Sequence, residues 1–175
     1  MKISIRNYSN KKRSHEAKKE LKLYALEVAS ELNISEHIQD IRLEYRKEYR
    51  GYYGKKSPFQ GFELLWNKGQ VKIIFAAYYD RSQEMRKDFI VHELTHVRQL
   101  ISGDLRPMGE RIKWKGRFNH TWKKFRFKVM ESFKNEADVE TYLRKHFPWE
   151  IEVQKNCERF EIKRCRAQKA KINKS

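Results

Sequence analysis

Residues 89–100 read Phe89-Ile90-Val91-His92-Glu93-Leu94-Thr95-His96-Val97-Arg98-Gln99-Leu100. The pattern His-Glu-x-x-His lies inside an apolar run that suits an α-helix. On a helix, residues four apart stand one above the other on the same face. His92 and His96 can therefore aim two imidazoles at one metal ion. Glu93 follows the first histidine and can lean over the ion's open side, where a carboxylate serves as general base.

The flanking residues favour a helix that is buried on one side. Met85, Phe89, Val97, Leu100 and Ile101 keep roughly to a helical stripe. Gly103 and Asp104 then end it, with glycine in its usual C-terminal role. Two histidines and a glutamate at the centre of such a helix are costly to bury without a partner. A metal ion is one partner; a pair of core histidines satisfied by hydrogen bonds is the other reading.

The 175 residues suggest one domain with a decorated end. Hydrophobic residues make up only 39% while aromatics reach 13%, so the expected core leans on Phe, Tyr and Trp. No apolar run approaches the ~20 residues of a membrane span, and no membrane partner is expected. Met1-Lys2-Ile3-Ser4-Ile5-Arg6 lacks the apolar core of an export signal. Cys157 and Cys165, if both on one helix, stand about 12 Å apart along its axis. That is too far for a bridge, and reduced thiols point to a cytoplasmic location.

The net charge of +17 is unevenly spread. Residues 1–20 hold seven Lys/Arg against two acids, residues 106–128 nine against Glu110, and residues 155–175 eight against two. The rest of the chain is close to neutral. Basic segments on both sides of the His-Glu-x-x-His run suit a polyanionic partner, DNA or RNA held without sequence preference. Solvated basic faces are the alternative.

Along the chain, Lys2–Arg6 reads as a short strand, and Ser14 caps a helix to about Leu32 with Leu21, Tyr24, Ala25, Val28 and Leu32 on one face. Ile41, Leu43 and Tyr45 mark a half-buried strand. Residues 50–58 form an aromatic, glycine-bearing loop. Gly61–Trp66 and Val71–Ala77 make a hairpin around Asn67-Lys68-Gly69-Gln70. Ser82 then caps the central helix. Residues 111–118 are extended, residues 120–133 and 135–146 helical, and Pro148 opens a last helix with Trp149, Val153, Cys157 and Phe160 on one face.

A catalytic zinc takes three protein ligands and a water. The third protein ligand must come from elsewhere in the chain. Glu150 and Glu152 lie two apart at the start of the last helix, so they diverge by roughly 200° and only one can face the ion. Glu152 sits at the edge of the buried face and is the first choice. His120 is the main alternative; Glu136 and Glu150 are weaker ones.

In this order, His92-Glu93-Leu94-Thr95-His96-Val97-Arg98-Gln99, Gly103-Asp104-Leu105, Trp114-Lys115-Gly116 and Pro148-Trp149-Glu150-Ile151-Glu152 resemble a group of small phage and bacterial zincins of metallopeptidase type. The resemblance covers roughly residues 85–160. It implies an α+β, zincin-like fold: a small twisted, mostly antiparallel sheet packed on the His-Glu-x-x-His helix, then a helical C-terminal half. By the gluzincin pattern the second glutamate, Glu152, is the third ligand, although Val153 stands where that pattern has alanine. The implied domain spans residues 1–160, with a basic helical insertion at about 106–135 and a basic tail at 161–175. Asn119-His120-Thr121-Trp122-Lys123 also resembles the third-histidine segment of Spartan/SprT-like proteases, which cleave proteins crosslinked to DNA.

The expected activity is therefore zinc-dependent peptide-bond hydrolysis. Zn2+ would be held by His92, His96 and Glu152, with Glu93 as general base and a protein or peptide as substrate, in the cytoplasm (the host's, if the chain is phage-encoded). The other class of function is a basic nucleic-acid-binding or phage structural protein whose zincin-like metal site is not catalytic.

Overall fold

The computed structural model describes residues 1–8, 14–46, 49–50, 56–57, 61–65, 69–76, 82–108, 111–119, 141–143 and 145–172. Contacts divide the chain into two units, Met1–Val97 and Arg98–Ser175. The dividing point falls inside one continuous helix, Gln83–Ile101.

In the first unit, β1 (Lys2–Tyr8), α1 (His15–Glu31), β2 (Asp40–Arg46), β3 (Tyr49–Arg50), β4 (Lys56–Ser57), β5 (Gly61–Leu65) and β6 (Gln70–Ala76) lead into α2 (Gln83–Ile101). Strand order in the main sheet is β1-β2-β6-β5. The pairings β1–β2 and β2–β6 are parallel, and only β5–β6 is antiparallel. The mostly antiparallel sheet read from the sequence is thus corrected to a mixed, mainly parallel one. The reason is topological: α1 is a crossover helix, and a strand–helix–strand unit returns the chain in its starting direction. The expected hairpin is present as β5–β6, and the glycine-bearing loop holds the small β3–β4 ladder.

Register lays one apolar face across the sheet. Ile3 and Ile5 pair with Ile41 and Leu43, which pair with Val71 and Ile73; Tyr45 pairs with Phe75. Ile41, Leu43, Tyr45, Val71, Ile73 and Phe75 are all buried. This part of the core is aliphatic first and aromatic second, against the aromatic weighting expected from composition. The buried residues of β6 run Val71, Ile73, Ile74, Phe75 because a central strand loses the polar alternation of an edge strand.

α1 buries Leu21, Tyr24, Ala25, Val28 and Ala29, spaced as one helical face. The Ser14 hydroxyl accepts from the Ala17 amide at 3.1 Å. At the other end Asn33 takes φ 55°, its amide donates to Ser30 and the Ile34 amide to Ala29. This is a Schellman closure with asparagine in glycine's place. Between Asn33 and β2, Gly69 (φ +58°) ties strand starts together: its carbonyl accepts from Gln39, whose own carbonyl accepts from Lys2.

α2 starts at Ser82, whose hydroxyl accepts from the Met85 amide at 3.3 Å. Gln83 donates to the Ala17 carbonyl at 2.9 Å, and Lys87 reaches Glu20 at 2.6 Å and Glu84 at 2.9 Å, clamping the start of α2 on α1. Ile90, Val91, Leu94 and Val97 form the buried stripe. Met85, expected on it, is 47% exposed. Its place in the first turn belongs to the polar clamp instead.

The second unit contains the last turn of α2, then β7 (Leu105–Met108), β8 (Arg111–Trp114), β9 (Arg117–Asn119) and a final helix, α3 (Pro148–Ile172). β7–β8–β9 is an antiparallel meander. Residues 111–118, read as extended, are strands β8 and β9 with the turn between them, and residues 106–108 at the start of the expected basic helical insertion are strand as well; the rest of that insertion, with His120, and Glu136 beyond it lie outside the described residues. The alternation of Ile112 and Trp114 with Lys113 carries the strand signal. Lys115 (φ 47°) and Gly116 (φ 81°) form the two-residue loop between Trp114 and Arg117, the type I′ pattern that matches strand twist. Trp149 stands 6.2 Å from Trp114 and stacks on Phe147 at 4.9 Å, and Phe147, Trp149, Val153 and Phe160 are buried. The expected basic tail is continuous with α3 as far as Ile172. Cys157 and Cys165 both lie on that helix and are not joined in a disulfide.

Two outcomes follow for stability. A Cβ at Gly69 would meet Gln39 Cγ at 3.3 Å in a backbone conformation that disfavours L-residues. Gly69→Ala should cost about 1–2 kcal/mol in denaturant unfolding. Burial alone would lower the pKa of Lys87, but its bonds to Glu20 and Glu84 outweigh that and hold it above the ordinary 10.5. A raised folded-state pKa stabilises fully below the unfolded value and is lost as pH climbs through the folded one. Wild type should therefore lose more stability than Lys87→Met as pH rises past about 10.5, in unfolding curves taken at successive pH values.

Candidate metal centre

The central turns of α2 set the site. Phe89 lies against His92 with the two rings nearly parallel, 9° apart and 6.1 Å between centroids. Phe75 of β6 supports Phe89 at 5.9 Å, and Tyr45 of β2 stacks on Phe75 at 5.1 Å. An aromatic file thus runs from the sheet to the first histidine. It restricts the side-chain rotamers of His92, which is half-buried.

His96 follows one turn later and is 7% exposed. The two imidazoles meet edge to face, at 78° and 4.8 Å between centroids, and present the same atom to each other: Nε2 to Nε2, 3.2 Å. With a proton on one ring this contact is a hydrogen bond. With both lone pairs turned inward, the spacing is that of two ligands on one ion. Zinc–nitrogen bonds of about 2.0–2.1 Å at a tetrahedral angle put neighbouring donors about 3.3 Å apart. Glu93, next in sequence and 4% exposed, brings a buried carboxylate to the same turn.

Among the described residues, His92, His96 and Glu150 form a group whose ligand atoms all lie within 4.8 Å of one another. Two imidazole nitrogens and a carboxylate oxygen are a donor set that zinc accepts. The residues therefore fit the ion that the sequence suggested. The carboxylate in the group is Glu150, where the sequence reading preferred Glu152.

Glu152 is engaged elsewhere. Its carboxylate pairs with the Arg98 guanidinium and accepts from Gln99 Nε2 at 3.2 Å. The same Gln99 nitrogen donates to the Trp149 carbonyl at 3.0 Å, and the Gln99 side chain is fully buried. The hydrophobic edge beside Trp149 and Val153 places Glu152 against two polar residues of α2. Arg98 and Gln99 were not singled out from the sequence, although a glutamine three residues beyond the second histidine, on the same helical face, is a legible signal. Tyr142 and His146 lie ring to ring at 4.1 Å.

His92→Ala should abolish tight zinc uptake and remove the rise in melting temperature on adding zinc, because ligand binding to the folded state is folding energy. Elemental analysis and thermal unfolding with and without zinc give both readouts. Full zinc occupancy in that variant rejects the histidine pair as the site.

No protein-family model, no curated protein and no solved structure gives a significant match to this chain.

Proposed function

We propose that this chain is a zinc-dependent metallopeptidase of zincin-like type. The observation that carries the reading is the facing Nε2 pair of His92 and His96 on a buried helix, with Glu93 beside it and Glu150 in reach. His92, His96 and Glu150 would hold the ion. Bound there, zinc supplies Lewis-acid chemistry, lowering the pKa of water towards neutrality and polarising a carbonyl.

The chain's own residues do the rest. Glu93 takes the proton of the attacking water and returns it to the leaving amine. Burial of Glu93 keeps competing water from that carboxylate, and the aromatic file behind His92 holds the imidazole in place for repeated turnover. The substrate is a protein or peptide; the mixed α+β architecture suits the zincin reading while leaving its finer topology to this proposal. No helix among the described residues is long and apolar enough to cross a membrane.

A second reading, binding of nucleic acid at a non-catalytic zincin-like site, is favoured by one surface. Arg106, Lys113 and Phe118 are cross-strand neighbours in the β7–β8–β9 meander. Phe118 is 41% exposed, with Lys113 Nζ at 4.5 Å and the Arg111 guanidinium at 5.9 Å from its ring centre. Cations around an exposed ring suit a phosphate backbone and an unstacked base. The two readings combine if the enzyme works on proteins attached to nucleic acid.

Glu93→Gln should retain zinc and lose at least about 100-fold in proteolysis of an unfolded protein substrate. A chelator should abolish wild-type cleavage and added zinc restore it. Equal cleavage by Glu93→Gln and wild type rejects the general base; no cleavage by zinc-loaded wild type, with oligonucleotide affinity that falls steeply with salt, favours the second reading.

A further inference from the structure

Resting on the metal-site reading above, we infer that Arg98, Gln99 and Glu152 form a latch that positions Glu150. The residues lie one turn beyond His96 on α2 and in the first two turns of α3. Gln99 Nε2 donates both to the Trp149 carbonyl and to Glu152, and Arg98 closes on the other carboxylate oxygen of Glu152. A fully buried glutamine amide with two acceptors has little freedom to move without losing bonds that water cannot replace.

The bond to the Trp149 carbonyl fixes how far α3 advances along the last turn of α2. The bonds to Glu152 fix its rotation about its own axis. Two such constraints determine where the residue between them in register, Glu150, presents its carboxylate. Glu150 follows Trp149 directly and precedes Glu152 by two positions, so a slip of one residue or a rotation of one position, about 100°, would carry it away from the histidines. Glu152 is in this view a positioning residue and no ligand. That assigns a role to each of the two glutamates in Trp149-Glu150-Ile151-Glu152.

The test is zinc affinity of the apo-protein, measured by competition with a chelating fluorophore, for Arg98→Glu, Glu152→Arg and the double reversal. Each single variant should bind zinc about 10–100-fold more weakly, the range seen when residues that orient a ligand are lost. The double reversal should return to within about threefold of wild type, since the ion pair is restored with its sign exchanged. A double reversal as weak as Glu152→Arg overturns the latch. Should the reversed charges prevent folding, as read from circular dichroism, alanine variants decide. Both side chains are about one-third exposed or less, and alanine places no opposite charge there. Glu152→Ala should weaken zinc binding, and adding Arg98→Ala to it should change nothing further; independent, additive losses overturn the latch. Wild type that takes up no zinc overturns the metal reading and the latch's purpose together, whereas tight wild-type binding without charge-reversal rescue overturns the latch alone.

Discussion

Two imidazoles held 3.2 Å apart, nitrogen to nitrogen, are the constraint around which this chain is arranged. Such a pair cannot be packed as two apolar side chains could. Each ring has two polar nitrogens, and removing them from water without partners costs several kcal/mol. The surrounding structure therefore has to supply both exclusion of water and fixed orientation. Ile90, Val91, Leu94 and Val97 do the first on the same helix. Phe89, Phe75 and Tyr45 do the second, by transmitting the position of the sheet to the ring of His92.

The sheet earns its place in that scheme through its parallel strands. β1, β2 and β6 run the same way, so the residues that end β2 and β6, Tyr45 and Phe75, arrive together at one sheet edge. An antiparallel arrangement would have split them between opposite ends. The clamp of Gln83 and Lys87 on α1 then fixes the start of α2, one to three turns before the histidines. Fold and site are linked by a short series of contacts, each of which can be named.

Much of this was legible in the residues. The helix around His92 and His96, its cap at Ser82, the stop at Gly103, the α1 face and cap, the hairpin before α2 and the start of the last helix at Pro148 all follow local rules of periodicity and turn chemistry, and local rules survive tertiary packing. Strand direction did not follow, because nothing in an alternating strand such as Ile41-Arg42-Leu43-Glu44-Tyr45 records which neighbour it will pair with. The engagement of Glu152 by Arg98 and Gln99, some fifty residues away in sequence, was also hidden, because a glutamate's hydrophobic neighbours carry no information about such a contact. Meander strands at 105–119 were half visible: the alternation of Ile112, Trp114 and Phe118 marked 111–118 as extended, while nothing in Leu105-Arg106-Pro107-Met108 recorded that it would pair with them.

The last helix carries one more implication. α3 runs for 25 residues, about 37 Å, yet its buried residues end at Phe160. Beyond that point lie Lys163, Arg164, Arg166, Lys169 and Lys171 with no acid after Glu161. A peptide of that length has little helical tendency of its own in water, and like charges one turn apart oppose it. The opposing influence is the negative end of the helix dipole, which favours cations in the final turn. Helical order in this distal arm is thus an electrostatic balance and not a packing outcome. Ionic strength or a bound polyanion would then lengthen or fray the arm by several residues while the first turns of the helix, held by buried Trp149 and Val153, kept their packing.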